Sequence, residues 1–185
     1  MTPGLIAPHV ILVDADDCAI GTMEKMEAHE KGLLHRAFSI FLFNDAGEML
    51  IHRRALTKYH CGGQWSNACC SHPIKGKELE ACVRDKLFQE MGIEAVTEKA
   101  FEFVYRAELP NGLIEHEYDH VFFGSYNSAP RPNPHEVSDW RYAPIERLRS
   151  ELKNHPELFT PWFRIIFERV AQHYVTIGGL SQQLR

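Results

Sequence analysis

No stretch of this sequence approaches the roughly 20 consecutive apolar residues that a membrane-spanning helix requires. Its early apolar segment, MTPGLIAPHVILVDADD, is broken by Pro3, Gly4, Pro8 and His9. That segment also lacks a cationic leader, so neither a secretory signal nor an amphipathic transit peptide is expected. Basic excess is missing too: the net charge of −5 and isoelectric point near 6.1 argue against a general nucleic-acid binder, which would carry a basic stripe. Paired C-x-x-C units are absent, so a structural zinc site built from four cysteines, or from two cysteines and two histidines, is a poor explanation of the thiols. The five cysteines are an odd number without a secretory signal, so reduced thiols are expected rather than a disulfide framework. These absences point to a soluble, cytoplasmic protein.

With 185 residues, 44% of them hydrophobic, the chain can build one sizeable core, and a single domain over residues 1–185 is expected. HVILVD, from His9 to Asp14, reads as a first strand. In RAFSIFLFNDAGEMLIHRR two apolar runs flank Asn44, Asp45, Ala46 and Gly47, a hairpin signal. After Gly76 the period changes: Leu79, Val83, Leu87 and Met91 recur every four residues, and Gly92 stands where a helix stops. AFEFVYRAEL and LIEHEYDHVFFGSY flank a Pro110-Asn111-Gly112 turn and form a second hairpin. The proline-rich SAPRPNPHEVSD is a loop, WRYAPI a strand, and Glu146 to Asn154 and Pro161 to Val175 are helices. In the last of these Ile165, Ile166, Val170 and Tyr174 read as core. Hairpins separated by a helix and followed by helices predict an α+β fold, a mixed sheet covered by helices.

The stretch NACCSHP, Asn67 to Pro73, sets two adjacent thiols just before a histidine. His29 and His35 precede the first long strand, and Glu115 and Glu117 alternate in IEHE. In a strand those two glutamates share a face, with His116 on the other. Paired carboxylates repel unless a cation lies between them. Three imidazoles and two carboxylates form a suitable N/O set for Mn²⁺, Mg²⁺ or Zn²⁺. Each piece alone has a plainer reading: a solvated glutamate pair, a surface histidine, a histidine in a turn, or small buried cysteines. Lys25, Arg54, Lys58 and Lys86 form a second group whose mixture of guanidinium and ammonium suits a small anion such as a diphosphate.

Taken together, LLHRAFS, RRALTK, WSNACCSHP, QEMGI, YRAELPNGLIEHE and TPWF resemble, in order, the type I isopentenyl diphosphate isomerases of the Nudix superfamily. The resemblance runs from about Lys25 to Trp162. It implies a Nudix-like mixed β-sheet sandwiched between helices, with an N-terminal extension. It also implies that Cys70 is the catalytic thiol and Cys69 its packing neighbour. His29, His35, His72, Glu115 and Glu117 match the buried divalent-metal site. Glu117 also matches the acid that works with the thiol, and Tyr105 bonds to the same reacting edge. Glu90 and the Cys70 carbonyl match the ligands of a second Mg²⁺ that arrives with the diphosphate. Lys25, Arg54, Lys58 and Lys86 fall on diphosphate-binding positions, and Trp162 on the aromatic facing the isoprene unit. Two positions depart from the family pattern: the His29 to His35 spacing is one residue shorter, and Lys86 replaces an arginine.

The implied reaction moves a double bond by protonating an alkene and deprotonating the neighbouring carbon, through a tertiary carbocation. The partner is a small-molecule substrate, isopentenyl diphosphate, acting on a monomer or weak dimer with no membrane or nucleic-acid role. Two rivals stand beside it. A Nudix hydrolase needs a run of glutamates late in the helix, whereas VRDKLFQEMGI offers Glu90 preceded by Gln89. A non-catalytic metal-stabilised binding module would make the His/Glu cluster structural and the thiol inert. Without the resemblance, Trp162 reads as a core aromatic at a helix start.

Overall fold

The computed structural model describes residues 8–109 and 111–182; Pro110 of the predicted turn and the first seven residues of the predicted N-terminal extension lie outside them. The chain runs β1 (His9–Val13), β2 (Ala19–Glu24), α1 (Lys25–Lys31), β3 (His35–Phe43), β4 (Glu48–Arg54), β5 (Trp65–Ser66) and β6 (Cys69–Ser71). It continues with α2 (Leu79–Met91), β7 (Thr97–Glu108), β8 (Ile114–Ser125), β9 (Val137–Pro144), α3 (Ile145–Asn154) and α4 (Pro161–Gln182). The mixed, helix-covered sheet is the predicted α+β architecture. β2, α1 and the short β5 and β6 carry no clear hydrophobic period and escape prediction.

Strand β3 is the spine. It runs parallel to β8, with His35 beside Glu117, and β7 pairs antiparallel to the far side of β8, setting Tyr105 opposite Glu117. The predicted β3–β4 hairpin closes at its turn, where the Asn44 side chain accepts from the Ala46 and Glu48 N–H groups. Only Leu42 with Leu50 and Phe43 with Met49 pair across it. Beyond them the strands part: β6 pairs with β3, and β5 with β4. The segment from Trp65 to Ser71 is thus wedged into a split in the sheet.

Alternation along β3 and β8 builds two cores. Even-numbered Phe38, Ile40, Leu42 and Phe122 pack against Val83, Leu87 and Met91 of α2, as the four-residue period predicts. Burying each of those side chains contributes roughly 1.5–3 kcal/mol. Gly92 ends α2 at φ 63, where a Cβ would meet the Arg131 carbonyl oxygen at 2.4 Å, so glycine is required. On the odd-numbered face Phe41, Phe43 and Val121 lie under Phe163, Ile166, Phe167 and Val170 of α4. Ile165, expected in this core, is 48% exposed; Ile166 and Val170 supply the contact instead. Strand β9 starts at Val137, three residues before the predicted strand, because Val137 pairs with Arg54 as soon as the prolines end.

Candidate active site

The odd-numbered face changes character along its length. Phe41, Phe43, Val121 and Phe123 are apolar, but His35, Ser39, Glu115, Glu117 and Asp119 lie toward the other end of the same two strands and are buried. Glu24 starts α1 by accepting from the Glu27 N–H at 2.9 Å. Gly32, at φ 61, turns the chain directly into β3. That tight exit accommodates the shorter histidine spacing: the His29 and His35 rings lie 4.8 Å apart between centroids, both fully buried.

The tautomers follow from the partners. His29 Nδ1 is 2.6 Å from the Lys25 carbonyl oxygen, and His35 Nδ1 is 2.8 Å from that of Leu33. A carbonyl only accepts, so each Nδ1 bears the proton and each neutral Nε2 presents a lone pair. Those lone pairs point at Glu115 Oε2, 3.1 Å from His29, and at His72 Nε2, 3.2 Å from His35. His72 Nε2 is in turn 2.9 Å from Glu117 Oε1. Acceptors converging on acceptors are satisfied by a cation, and ligand atoms of His29, His35, His72 and Glu117 all lie within 4.8 Å of one another. The N/O set fits a divalent ion. Glu115 reaches this group through His29.

The charges respond accordingly. Burial opposes charging of His29, yet the negative Glu115 carboxylate beside its Nε2 favours a proton there, as it would favour a metal cation, and leaves the His29 pKa raised. Burial and the neighbouring Glu117 charge raise Glu115. Burial works against ionised Glu117 as well, but His35 and His72 hold it well below the usual carboxylate range. Burial and the Lys25 ammonium push His72 down to about 3.

Cys70 pairs with Ser39 across β6 and β3. Its thiol donates to Asn67 Oδ1 at 3.0 Å and sits 3.4 Å from Ser39 Oγ, which donates to Asp119 Oδ2 at 2.7 Å. Burial, reinforced by the Asp119 charge, pushes the Cys70 thiol up. Cys69 faces the other way into the α2 core, and its thiol meets Glu90 Oε2 at 3.4 Å. All five cysteines are free.

One cavity gathers nearly all the predicted residues. Cys70, Glu117, Tyr105 and Trp162 line it with Lys25, Arg54, Lys58, Lys86 and Glu90, and His72 and Glu115 contribute from the histidine side. His29 and His35 lie behind them. Trp162 is 6% exposed; its indole N–H donates to Ser66 Oγ at 2.9 Å and the Arg54 guanidinium lies 5.3 Å from its ring centroid. It belongs to the α4 core and also walls the cavity. Lys58 is ion-paired with Glu136.

Sequence patterning does not single out His52, His60, Asn67, Asp119 or Glu136. Asp119 had a usable signal, since it continues the same-face series of Glu115 and Glu117. Ser39 is a lone polar residue on the inward face of an apolar strand. His60 and Glu136 lie in loops, where no period marks a residue as inward. No helix among the described residues is long and apolar enough to cross a membrane.

A family model described as the NUDIX domain matches residues 33–163. The isopentenyl-diphosphate Delta-isomerase 2 of Photorhabdus laumondii is 45% identical over 174 residues, covering 94% of this chain and 93% of the relative. The isopentenyl-diphosphate Delta-isomerase of Pectobacterium atrosepticum is 44% identical, covering 89% of this chain and 92% of the relative. Among solved structures, a protein from Deinococcus radiodurans superposes with a TM-score of 0.73 at 18% identity, covering 88% of this chain and 98% of that one. The MutT protein from Methanosarcina mazei gives 0.61 at 18% identity, covering 75% and 94%. At that identity these structures speak to the fold alone.

Proposed function

The chain belongs to the Nudix family, among the isopentenyl-diphosphate Delta-isomerases, and from that membership we propose how its own residues carry out the reaction. It interconverts isopentenyl diphosphate and dimethylallyl diphosphate, the reaction that supplies both five-carbon units to isoprenoid synthesis. The observation that carries our reading is that a thiol, a carboxylate, an aromatic face and four cations open on one buried cavity.

Shifting the double bond requires a proton delivered to the terminal alkene carbon and another removed from the carbon on the far side of the branch, with a tertiary cation between. Glu117, bonded to Tyr105, delivers the first; Cys70, as thiolate, takes the second; the roles exchange in reverse. Trp162 presents its ring face to the cation, a stabilisation of up to about 2 kcal/mol in a desolvated site. The protein alone keeps a proton on Cys70, through burial, and Glu117 ionised, through His35 and His72. That is the state in which forward turnover ends and reverse turnover begins.

His29, His35, His72, Glu115 and Glu117 would hold a divalent ion, Mn²⁺, Mg²⁺ or Zn²⁺, whose charge would polarise Glu117. Glu90 and the Cys70 carbonyl would hold a second, Mg²⁺, that accompanies the diphosphate. Lys25, Arg54, Lys58 and Lys86 bind the diphosphate itself, and Lys58 must exchange Glu136 for it. Free thiols agree with a reducing compartment, the cytoplasm, where we expect one catalytic domain acting as a monomer or weak dimer. Hydrolysis of a diphosphate is the alternative on this fold, disfavoured by Glu90 having glutamine rather than glutamate before it.

The test is incubation with isopentenyl diphosphate and Mg²⁺ in D₂O, followed by proton NMR. Deuterated dimethylallyl diphosphate is expected. Release of phosphate with the olefin unchanged would transfer the assignment to the hydrolase.

A further inference from the structure

Asn67 lies between β5 and β6, in the segment wedged into the split sheet, and is fully buried. Its amide nitrogen donates to two backbone carbonyls, that of Ile40 in β3 at 3.1 Å and that of Cys69 at 2.8 Å. Carbonyls only accept, so the nitrogen stands between them and Oδ1 faces the other way. The sheet itself thus decides which atom Asn67 presents.

That oxygen receives two donors. The Cys70 thiol donates to it at 3.0 Å and the Ser66 hydroxyl at 3.1 Å. Ser66 commits its only hydroxyl proton to this bond, so its oxygen accepts from the Trp162 indole N–H at 2.9 Å and from the Thr160 hydroxyl at 3.2 Å. An unbroken chain of hydrogen bonds therefore joins the sulfur to the indole. Cys70 and Trp162, its two ends, line the cavity, and the buried Asn67 and Ser66 stand behind them. Ser39 Oγ, the other oxygen beside the sulfur, is farther away at 3.4 Å.

We propose that Asn67 is a positioning residue for the isomerase reaction: with Ser66 it ties the catalytic thiol and the aromatic wall to one fixed oxygen. The spacing between the group that removes the proton and the ring that faces the cation is then set by the sheet. Such spacing matters, because a displacement of about 1 Å can cost on the order of 100-fold in rate. The inference rests on the reading of Cys70 and Trp162 as the reacting base and the aromatic wall.

The thiol end is tested by infrared spectroscopy of the substrate-free protein, since S–H stretching bands stand clear of other protein absorption and move to lower frequency when the thiol donates a hydrogen bond. Wild type minus Cys70→Ala isolates the Cys70 band. It should lie below the band of an alkyl thiol in apolar solvent, stay there in Ser39→Ala, and move upward in Asn67→Ala. The indole end is tested by kinetics. Ser66→Ala should lower kcat ~10-fold with KM nearly unchanged. In a Trp162→Phe background, which has no indole N–H to anchor, the same change should add no more than about twofold.

A Cys70 band that is missing, that lies at the apolar-solvent frequency, or that moves upward in Ser39→Ala overturns the proposal. So does a Ser66→Ala loss of equal size in both backgrounds, which would make Ser66 a support of the fold alone. Should Asn67→Ala or Ser66→Ala melt below the assay temperature, the wild-type, Cys70→Ala and Ser39→Ala spectra still decide. Cys70→Ala that turns over at the wild-type rate would instead overturn the reading of Cys70, and this inference with it.

Discussion

The Tyr105 hydroxyl donates to Glu117 Oε2 across 2.7 Å, between residues that are register partners in the β7–β8 hairpin. Burial, with the Glu117 charge beside it, pushes the phenol well above its ordinary pKa, so it remains a donor. His72 holds the other oxygen of the same carboxylate at 2.9 Å, which fixes its orientation. Tyr105→Phe keeps the ring stacked on Phe103 and deletes one charged hydrogen bond. Such a bond is worth about 1.5–3 kcal/mol. Steady-state assays should show kcat down ~10- to 100-fold with KM nearly unchanged, beside a melting temperature lowered by several degrees. A rise in KM alone would move Tyr105 from the reacting edge to substrate binding.

Cys70→Ala and Glu117→Gln separate chemistry from binding. General acid–base groups are worth about 10²- to 10⁴-fold, and each variant should lose turnover on that scale. Neither side chain supplies a cation, so affinity for inorganic pyrophosphate with Mg²⁺, measured by calorimetry, should hold. Cys70→Ala that still exchanges deuterium into product at the wild-type rate would make the thiol a packing group like Cys69.

How much of this can be read from the chain depends on periodicity. The α2 stripe and the Glu115/Glu117 alternation are local patterns that burial must obey, and they locate a helix and a shared carboxylate face. The split between β3 and β4 is not local. It forms because β5 and β6 find partners on both strands, and two- and three-residue strands leave no period to read. His60 and Glu136 enter the site from loops for the same reason. Ile165 is misplaced because an apolar helical stripe does not say which of two adjacent isoleucines turns outward. The roles given to Cys70, Trp162 and the cations come from the family resemblance, since single cysteines, tryptophans and lysines carry no chemistry of their own in a sequence.

Trp162 distinguishes an aromatic role from a merely apolar one. Its indole N–H is anchored on Ser66 and its ring lies beneath Arg54. Trp162→Phe keeps a ring face, while Trp162→Leu keeps only bulk. Loss of about 2 kcal/mol of cation stabilisation predicts kcat for the leucine variant ~30-fold below wild type, with phenylalanine between them. If leucine and phenylalanine turn over equally, the wall excludes water and does nothing electrostatic.

His52 sets an acid limit on stability. It is 3% exposed, and burial followed by the Arg54 and Lys58 charges pushes its pKa down to about 4. Unfolded, it titrates near its ordinary value of 6.5. Between those values the unfolded chain binds a proton that the folded protein refuses, so stability rises with pH across the window and the loss is complete below about 4. The full loss is about 3 kcal/mol, at roughly 1.4 kcal/mol per pH unit. His72 and His60, both pushed down to about 3, add losses of the same sign that persist in a His52 variant. Urea unfolding of wild type and His52→Gln at about pH 7.5 and pH 5 isolates the difference. Wild type should lose about 2 kcal/mol more than the variant between the two conditions. Equal losses would mean that His52 is already protonated in the folded protein at pH 5, paired with a carboxylate rather than held neutral beside the cations.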